Sequence, residues 1–228
     1  MQIAQEVQTM VGALLAGDLN VWEGGYFSHL MARSMAEQGR NFPVLHYDYP
    51  ERHKLYGYVN NDVLHNRPID YLEFGVYQGD SLRQWLGLNP HPKSRFYGFD
   101  SFEGLPEDWL SGHKSKGAFT CQGEMPAIDD PRATLVKGWF NQTLEPFLAD
   151  FTVQNQMVVH LDADLFSSTL YVLMTLNRVI PKGTVFVFDD FNPRDDFAAF
   201  HYFLRACGRK WRILAARQGF GKLAAVVY

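Results

Sequence analysis

Cysteine is nearly absent from this chain. Only Cys121 and Cys207 occur in 228 residues, far apart and without the spacing of metal ligands. A disulfide scaffold and a zinc site are therefore not expected, whereas reduced thiols of a cytoplasmic protein are. No apolar run approaches membrane-spanning length, and the N-terminus lacks the basic-then-apolar layout of a signal peptide, so no membrane partner is expected. Positive charge is not in excess either: 21 Lys and Arg stand against 25 Asp and Glu, a formal net charge of −4. A surface that binds polyanions needs the opposite balance, which argues against nucleic acid as a partner. Internal repeats and low-complexity tracts are also missing.

What remains is a chain of ordinary globular composition, long enough for one large α/β domain. Its first 67 residues carry no strong strand signal. Apolar spacing predicts helices over residues 1–16, 26–37 and 54–65, with residues 47–52 as exposed loop. This region reads as a helical cap on the acceptor side of a catalytic domain spanning residues 68–228. Its aromatics and histidines (Tyr26, His29, His46, Tyr47, His53) are either pocket-lining or packing. After Pro68, strand and helix alternate. Strands are expected at 69–74, 95–99, 134–137, 157–161, 184–188, 211–216 and 222–227. Helices are expected at 80–88, from about 144, at 167–179 and at 195–207. The pattern implies a doubly wound, mostly parallel seven-stranded sheet closed by an antiparallel C-terminal hairpin. The loop after Trp109 is long enough to be functional.

The residues that end successive strands are Glu73, Asp100, Gly138, Asp162 and Asp189. Ligands bind outside the carboxyl ends of parallel strands, so these groups share one edge. Two acidic clusters stand out, Asp162-Ala163-Asp164 and Asp189-Asp190. Several carboxylates at close quarters need a cation or a proton, and an all-oxygen ligand set suits Mg²⁺. The rival reading is that an Asp at a strand end caps the next helix. His160 reads as a satisfied core histidine. The turn Glu73-Phe74-Gly75-Val76-Tyr77-Gln78-Gly79 is not G-x-G-x-x-G, the pattern that takes a pyrophosphate. Glu73 would repel phosphates and attract an ammonium, while Gly75 and Gly79 let a ligand approach the backbone. Asp100 suits two ribose hydroxyls. A nucleoside with a cationic amino-acid tail and no phosphates is S-adenosylmethionine.

The segments LEFGVYQGDS (72–81), FYGFDSFEGLPEDW (96–109), VKGWFNQTL (136–144), HLDADLFSSTL (160–170) and VFDDF (187–191) resemble the macrocin O-methyltransferase (TylF/MycF-type) family. The resemblance covers residues 69 to about 192, with Asp80 standing where a glycine is common. It implies a class I, Rossmann-like, Mg²⁺-dependent enzyme that methylates a hydroxyl of a sugar or other small natural product. It further implies cofactor contacts from Glu73, Gly75, Val76, Tyr77, Gly79, Ser81, Asp100, Ser101, Phe102, Gly138, Trp139 and Asp162. Trp139 either borders the adenine or is plain core. Asp162, Asp189 and Asp190 would hold the metal. Asp162 and Asp164 are the catalytic candidates, Asp164 facing the acceptor or capping the following helix. Two other functions fit the residues: a metal-dependent glycosyltransferase built on Asp162-Ala163-Asp164, and a non-catalytic nucleoside-binding module. A homo-oligomer is compatible with all three.

Overall fold

A computed structural model of the protein describes residues 19–39 and 42–228; the helix expected over residues 1–16 lies outside them. The first described helix, α1 (Leu19–Gln38), is longer than the expected 26–37. A two-residue strand β1 (Val44–Leu45) follows, then a 3₁₀ turn (Tyr49–Glu51) and α2 (His53–Tyr58). The third expected helix is thus α-helical only in its first half, because it runs into a π-helical turn at Val59–Val63.

From there the alternation appears with its predicted elements in order. Strand β2 (Ile69–Phe74) leads to α3 (Asp80–Leu88), and β3 (Arg95–Asp100) leads through a long loop to β4 (Ala133–Lys137). Helix α4 (Phe140–Asp150), β5 (Gln156–Leu161), α5 (Phe166–Leu176) and β6 (Thr184–Phe188) come next. Helix α6 (Asp196–Ala206) and the hairpin of β7 (Trp211–Arg217) and β8 (Leu223–Val227) close the chain.

The strands form one sheet in the order β1-β7-β8-β6-β5-β2-β3-β4. It has eight strands rather than seven, the addition being β1. β1 pairs parallel with β7, and β8 runs antiparallel between β7 and β6. Helices cover both faces, so central strands are buried throughout and read as unbroken apolar runs. Successive side chains still point to opposite faces. Leu72, Phe74, Val159, Leu161, Phe186 and Phe188 pack into the larger core layer, which includes α4, α5 and α6. Ile69, Tyr71, Val158, Val185 and Val187 pack into the second layer with α2 and α3.

This two-fold alternation, together with the register, determines the functional edge. Phe74 pairs with Phe99 on one side and with Leu161 on the other, and Leu161 pairs with Phe188. The residues that follow lie side by side at the sheet edge: Gly75, Asp100, Asp162 and Asp189. The N-terminal segment is clasped to the far edge of the same sheet. The Gln218 side chain accepts the Tyr47 N–H and donates back to the Tyr47 carbonyl, at 2.9 and 2.8 Å. Arg217 donates to that carbonyl as well.

Candidate active site

Where β2 ends, the chain turns within van der Waals limits of β5. A Cβ on Gly75 would lie 1.9 Å from the Asp162 carbonyl oxygen, and φ there is +94°. Only glycine meets both conditions. The turn is then tied to β3 by Asp100. One carboxylate oxygen accepts the N–H groups of Val76 and Tyr77, at 2.8 and 2.7 Å, and the other accepts that of Phe102 at 2.7 Å. A carboxylate offers about four acceptor sites, so roughly one remains for a ligand hydroxyl. Tyr77 (φ 49°) and Phe102 (φ 60°) hold left-handed conformations around this carboxylate. Both are uncommon for aromatic residues and fit a turn shaped for something other than stability alone.

Glu73 behaves differently from its sequence-based expectation. Period two places it on the same face as Tyr71, toward α3 rather than toward the edge. It is fully buried. One oxygen accepts the Tyr71 hydroxyl at 2.7 Å and the other accepts the Ser81 hydroxyl. Burial raises its pKa above the ordinary carboxylate value, opposed by His160. Glu73 therefore acts on the cavity through Ser81. His160 continues the network: its Nδ1 lies 2.6 Å from the Tyr71 hydroxyl and its Nε2 lies 3.5 Å from Asp189. It is fully buried, as a core histidine would be, but only partly satisfied, since Nε2 has no hydrogen-bond partner.

The acidic doublet Asp189-Asp190 is split by the same alternation. Asp189 follows Val187 onto the α2 face. There its carboxylate accepts the Tyr56 hydroxyl at 2.7 Å and pairs with Arg52 at 3.0 Å and Lys222 at 2.8 Å. Burial would raise its pKa, but His160, Lys222 and Arg52 override this and hold it well below the carboxylate range. Asp190 follows Phe188 onto the other face. Asp162, Asp164 and Asp190 bring one oxygen each within 4.8 Å of the others. Of the expected metal set, Asp162 and Asp190 lie in this cluster with Asp164, while Asp189 is engaged by Arg52, Lys222 and Tyr56. Asp164 does not cap α5, whose flanking residue is Leu165. It occupies a γ-turn instead, with φ 62° and the Leu165 N–H donating to the Ala163 carbonyl at 2.6 Å.

This cluster carries more negative charge than its surroundings offset. Each like-charged pair at such a separation costs roughly 3 kcal/mol at an effective dielectric of about 20. Burial, then Asp190, Asp189 and Asp195, push Asp164 up to about 8. Burial also pushes Asp190 to about 6, with Lys222 opposing. Asp162 rises well above its ordinary value through burial and its acidic neighbours. Arg52 lies 3.7 Å from Asp162, but it is already engaged by Asp189. Three oxygen donors with raised proton affinity fit a hard divalent cation.

A cavity of about 940 Å³ joins the cluster to the glycine turn. It is lined by Gly75, Val76, Tyr77, Ser81, Asp100, Ser101, Trp139, Asp162, Asp164 and Asp190. Glu73, Gly79, Phe102, Gly138 and Asp189 stand outside the lining. Gly79 is the left-handed residue that starts α3. Gly138, at φ 139°, donates its N–H to the Asp100 carbonyl and lets the chain bring Trp139 to the wall. The N-terminal region contributes Tyr49 and Arg52, from the stretch read as exposed loop, and not its histidines. Trp109 and Phe119 come from the long β3–β4 loop. Lys222, buried against Asp189, was also unforeseen. It stands just ahead of the apolar run of β8, and one charge at a strand start gives no signal of its partner.

The sequence profile of the macrocin-O-methyltransferase (TylF) family matches residues 28–208. The fold is similar to that of CalS11, a calicheamicin methyltransferase, with TM-score 0.57 and 23% identity over 78% of this chain and 80% of that one. It is also similar to the O-methyltransferase NovP, with TM-score 0.56 and 19% identity over 77% and 79% of the two chains. An O-methyltransferase from Bacillus cereus, solved in complex with SAH, matches over 89% of this chain and 90% of that one, at TM-score 0.51 and 14% identity. No curated protein matches the chain in sequence.

Proposed function

Because the chain belongs to the macrocin-O-methyltransferase (TylF) family, we propose that it methylates a hydroxyl of a sugar or sugar-bearing natural product with Mg²⁺ held at the sheet edge. Family membership makes it an S-adenosylmethionine-dependent O-methyltransferase and sets aside the glycosyltransferase and the idle binding module. The observation that carries the finer reading is the cluster of Asp162, Asp164 and Asp190 at the far end of the Asp100 cavity.

The division of labour follows from the residues. Asp100 keeps one acceptor site for a ribose hydroxyl, and Ser81, backed by Glu73, is set for the amino-acid end of the cofactor. Gly75 lets that end lie against the backbone, and Trp139 borders the base. The cofactor brings a methyl group activated by its sulfonium, so the protein's main task is alignment. Asp162, Asp164 and Asp190 would hold the ion, which when bound supplies Lewis acidity toward the acceptor hydroxyl. A carboxylate oxygen of Asp164 that the ion leaves free would accept the hydroxyl proton. Tyr49 and Arg52 cover this end, which fits residues 1–67 as the acceptor-side region. No helix among the described residues is long and apolar enough to cross a membrane. Both cysteines are free, which fits a cytoplasmic setting.

The test is methyl transfer from labelled S-adenosylmethionine to a panel of sugar nucleotides and aryl rhamnosides, with Mg²⁺ or with EDTA. Methylation that stops in EDTA and returns with Mg²⁺ is the expected result. Undiminished turnover in EDTA would sink the metal role.

A further inference from the structure

We propose that Asp195 is a positioning residue: it fixes Trp109 as the wall between the acceptor end of the cavity and a neighbouring groove, and this wall limits the bulk of the acceptor. The inference rests on the acceptor reading above.

The β3–β4 loop folds at its tip into a small antiparallel bridge. The Trp109 N–H donates to the Lys114 carbonyl at 2.8 Å, and the Lys114 N–H donates back at 3.1 Å. Gly112 lies directly on the indole, since a Cβ there would come within 2.1 Å of ring carbon Cε3. The ring is thus clamped on one face. Its edge is held as well, because Nε1–H donates to Asp195 Oδ2 at 2.9 Å. The Ser111 hydroxyl donates to the same oxygen. An Asp in front of a helix ordinarily accepts that helix's own free N–H groups. Asp195 flanks α6 yet makes no side-chain cap, and its backbone is in an unusual conformation at φ −106° and ψ −91°. Its carboxylate is committed to the loop instead.

Location gives this latch its meaning. Trp109 lines the main cavity and also a separate groove of about 400 Å³, which Phe27, Phe166 and Tyr202 line as well. Ser167, three residues after Asp164, is the other residue that lines both, so the wall stands at the acid-cluster end. Releasing the indole would join cavity and groove.

The variants are Asp195→Ala, Asp195→Asn, Trp109→Phe and the Asp195→Ala/Trp109→Phe double substitution. Hydrogen–deuterium exchange is followed over residues 105–118 with S-adenosylhomocysteine bound. Methyl transfer is compared between phenyl rhamnoside and its bulkier biphenyl analogue. Asp195→Ala and Trp109→Phe should each speed exchange about tenfold, as expected for losing a hydrogen bond to a charged group. They should also shift the KM ratio toward the biphenyl acceptor by about as much. Asp195→Asn, which keeps an acceptor oxygen, should stay near wild type, and S-adenosylhomocysteine affinity should hold in every variant. The double variant should be no worse than Asp195→Ala alone, because that variant has already lost the indole bond. Unchanged exchange in Asp195→Ala, or additive effects in the double variant, overturns the latch. Faster exchange with an unchanged KM ratio overturns the wall. If the wild type methylates neither these rhamnosides nor any sugar of the wider panel, the acceptor reading has failed, and the exchange cycle still decides for or against the latch.

Discussion

The two flanks of the cavity are built on opposite principles. At the ends of β2 and β3 every strong polar group is already matched: Asp100 accepts three backbone N–H groups and Glu73 accepts two hydroxyls. At the ends of β5 and β6, Asp162, Asp164 and Asp190 crowd one another, and the nearby cations Arg52 and Lys222 sit closer to Asp189. One flank is preorganised and the other is poised for an added charge. In keeping with the function proposed above, we assign recognition of the cofactor to the first and control of the reacting hydroxyl to the second.

The largest effect should come from emptying or weakening the charged flank. EDTA, or Asp190→Ala, should lower turnover about 100-fold or more while leaving S-adenosylhomocysteine affinity within about threefold. Calorimetry and initial rates on the same samples read both, and a parallel loss of affinity would show that the flanks are not separable. Asp100→Ala should do the converse. It frees three backbone donors and deletes a charged acceptor worth about 1.5–3 kcal/mol per bond, so cofactor affinity should fall about 10- to 100-fold. Equal affinity in wild type and variant would remove Asp100 from the cofactor site.

Gly75 joins the flanks. Gly75→Ala forces a methyl into the Asp162 carbonyl and should cost about 1–3 kcal/mol, roughly 2–10 °C in Tm. A thermal melt that does not move would mean the turn can shift freely.

The smallest effect tests the imbalance itself, without added metal. Asp164 has a folded pKa of about 8 against an ordinary 3.8. The folded state therefore binds the additional proton, and stability is lost as pH rises between about 4 and 8. Asp164→Asn removes that loss. It should raise Tm at pH 8, by about 2–4 °C for each kcal/mol of repulsion relieved, and by almost nothing at pH 4. An equal change at both values would mean the carboxylate is not under strain from its neighbours.

Most of this architecture was legible from strand periodicity. Seven strands and the sheet edge follow from apolar runs and the residues that end them, and β2, β5 and β6 lie side by side as the acidic ends required. The two-residue β1 was not legible. Its strand character comes from pairing with β7, and a stretch bounded by Pro43 offers no pattern of its own. Within the site, Asp100, Gly75 and Asp162 stand where their positions at strand tips indicated. The place of Asp189 outside the cluster was recoverable only in part. Val185 and Val187 face one layer and Phe186 and Phe188 the other, so the two residues of the doublet diverge, but that Asp190 and not Asp189 joins Asp162 depends on how the chain leaves the strands. Arg52 was beyond reach, because its partner Asp189 is 137 residues away and nothing in residues 47–52 signals burial.

That separation bears on how the molecule is made. Arg52 and Tyr49 take their places only when the preceding segment is clasped by Gln218 and paired with β7. Asp189, which anchors Arg52, is in turn held by Lys222. A ribosome adding about 5–20 residues per second needs about 10–30 s to travel from Arg52 to β7. During that interval the central parallel strands can assemble and the Asp100 turn can form, but the acid cluster lacks both its cover and its counter-charges. The cover of the acid cluster is therefore expected to form after the central strands.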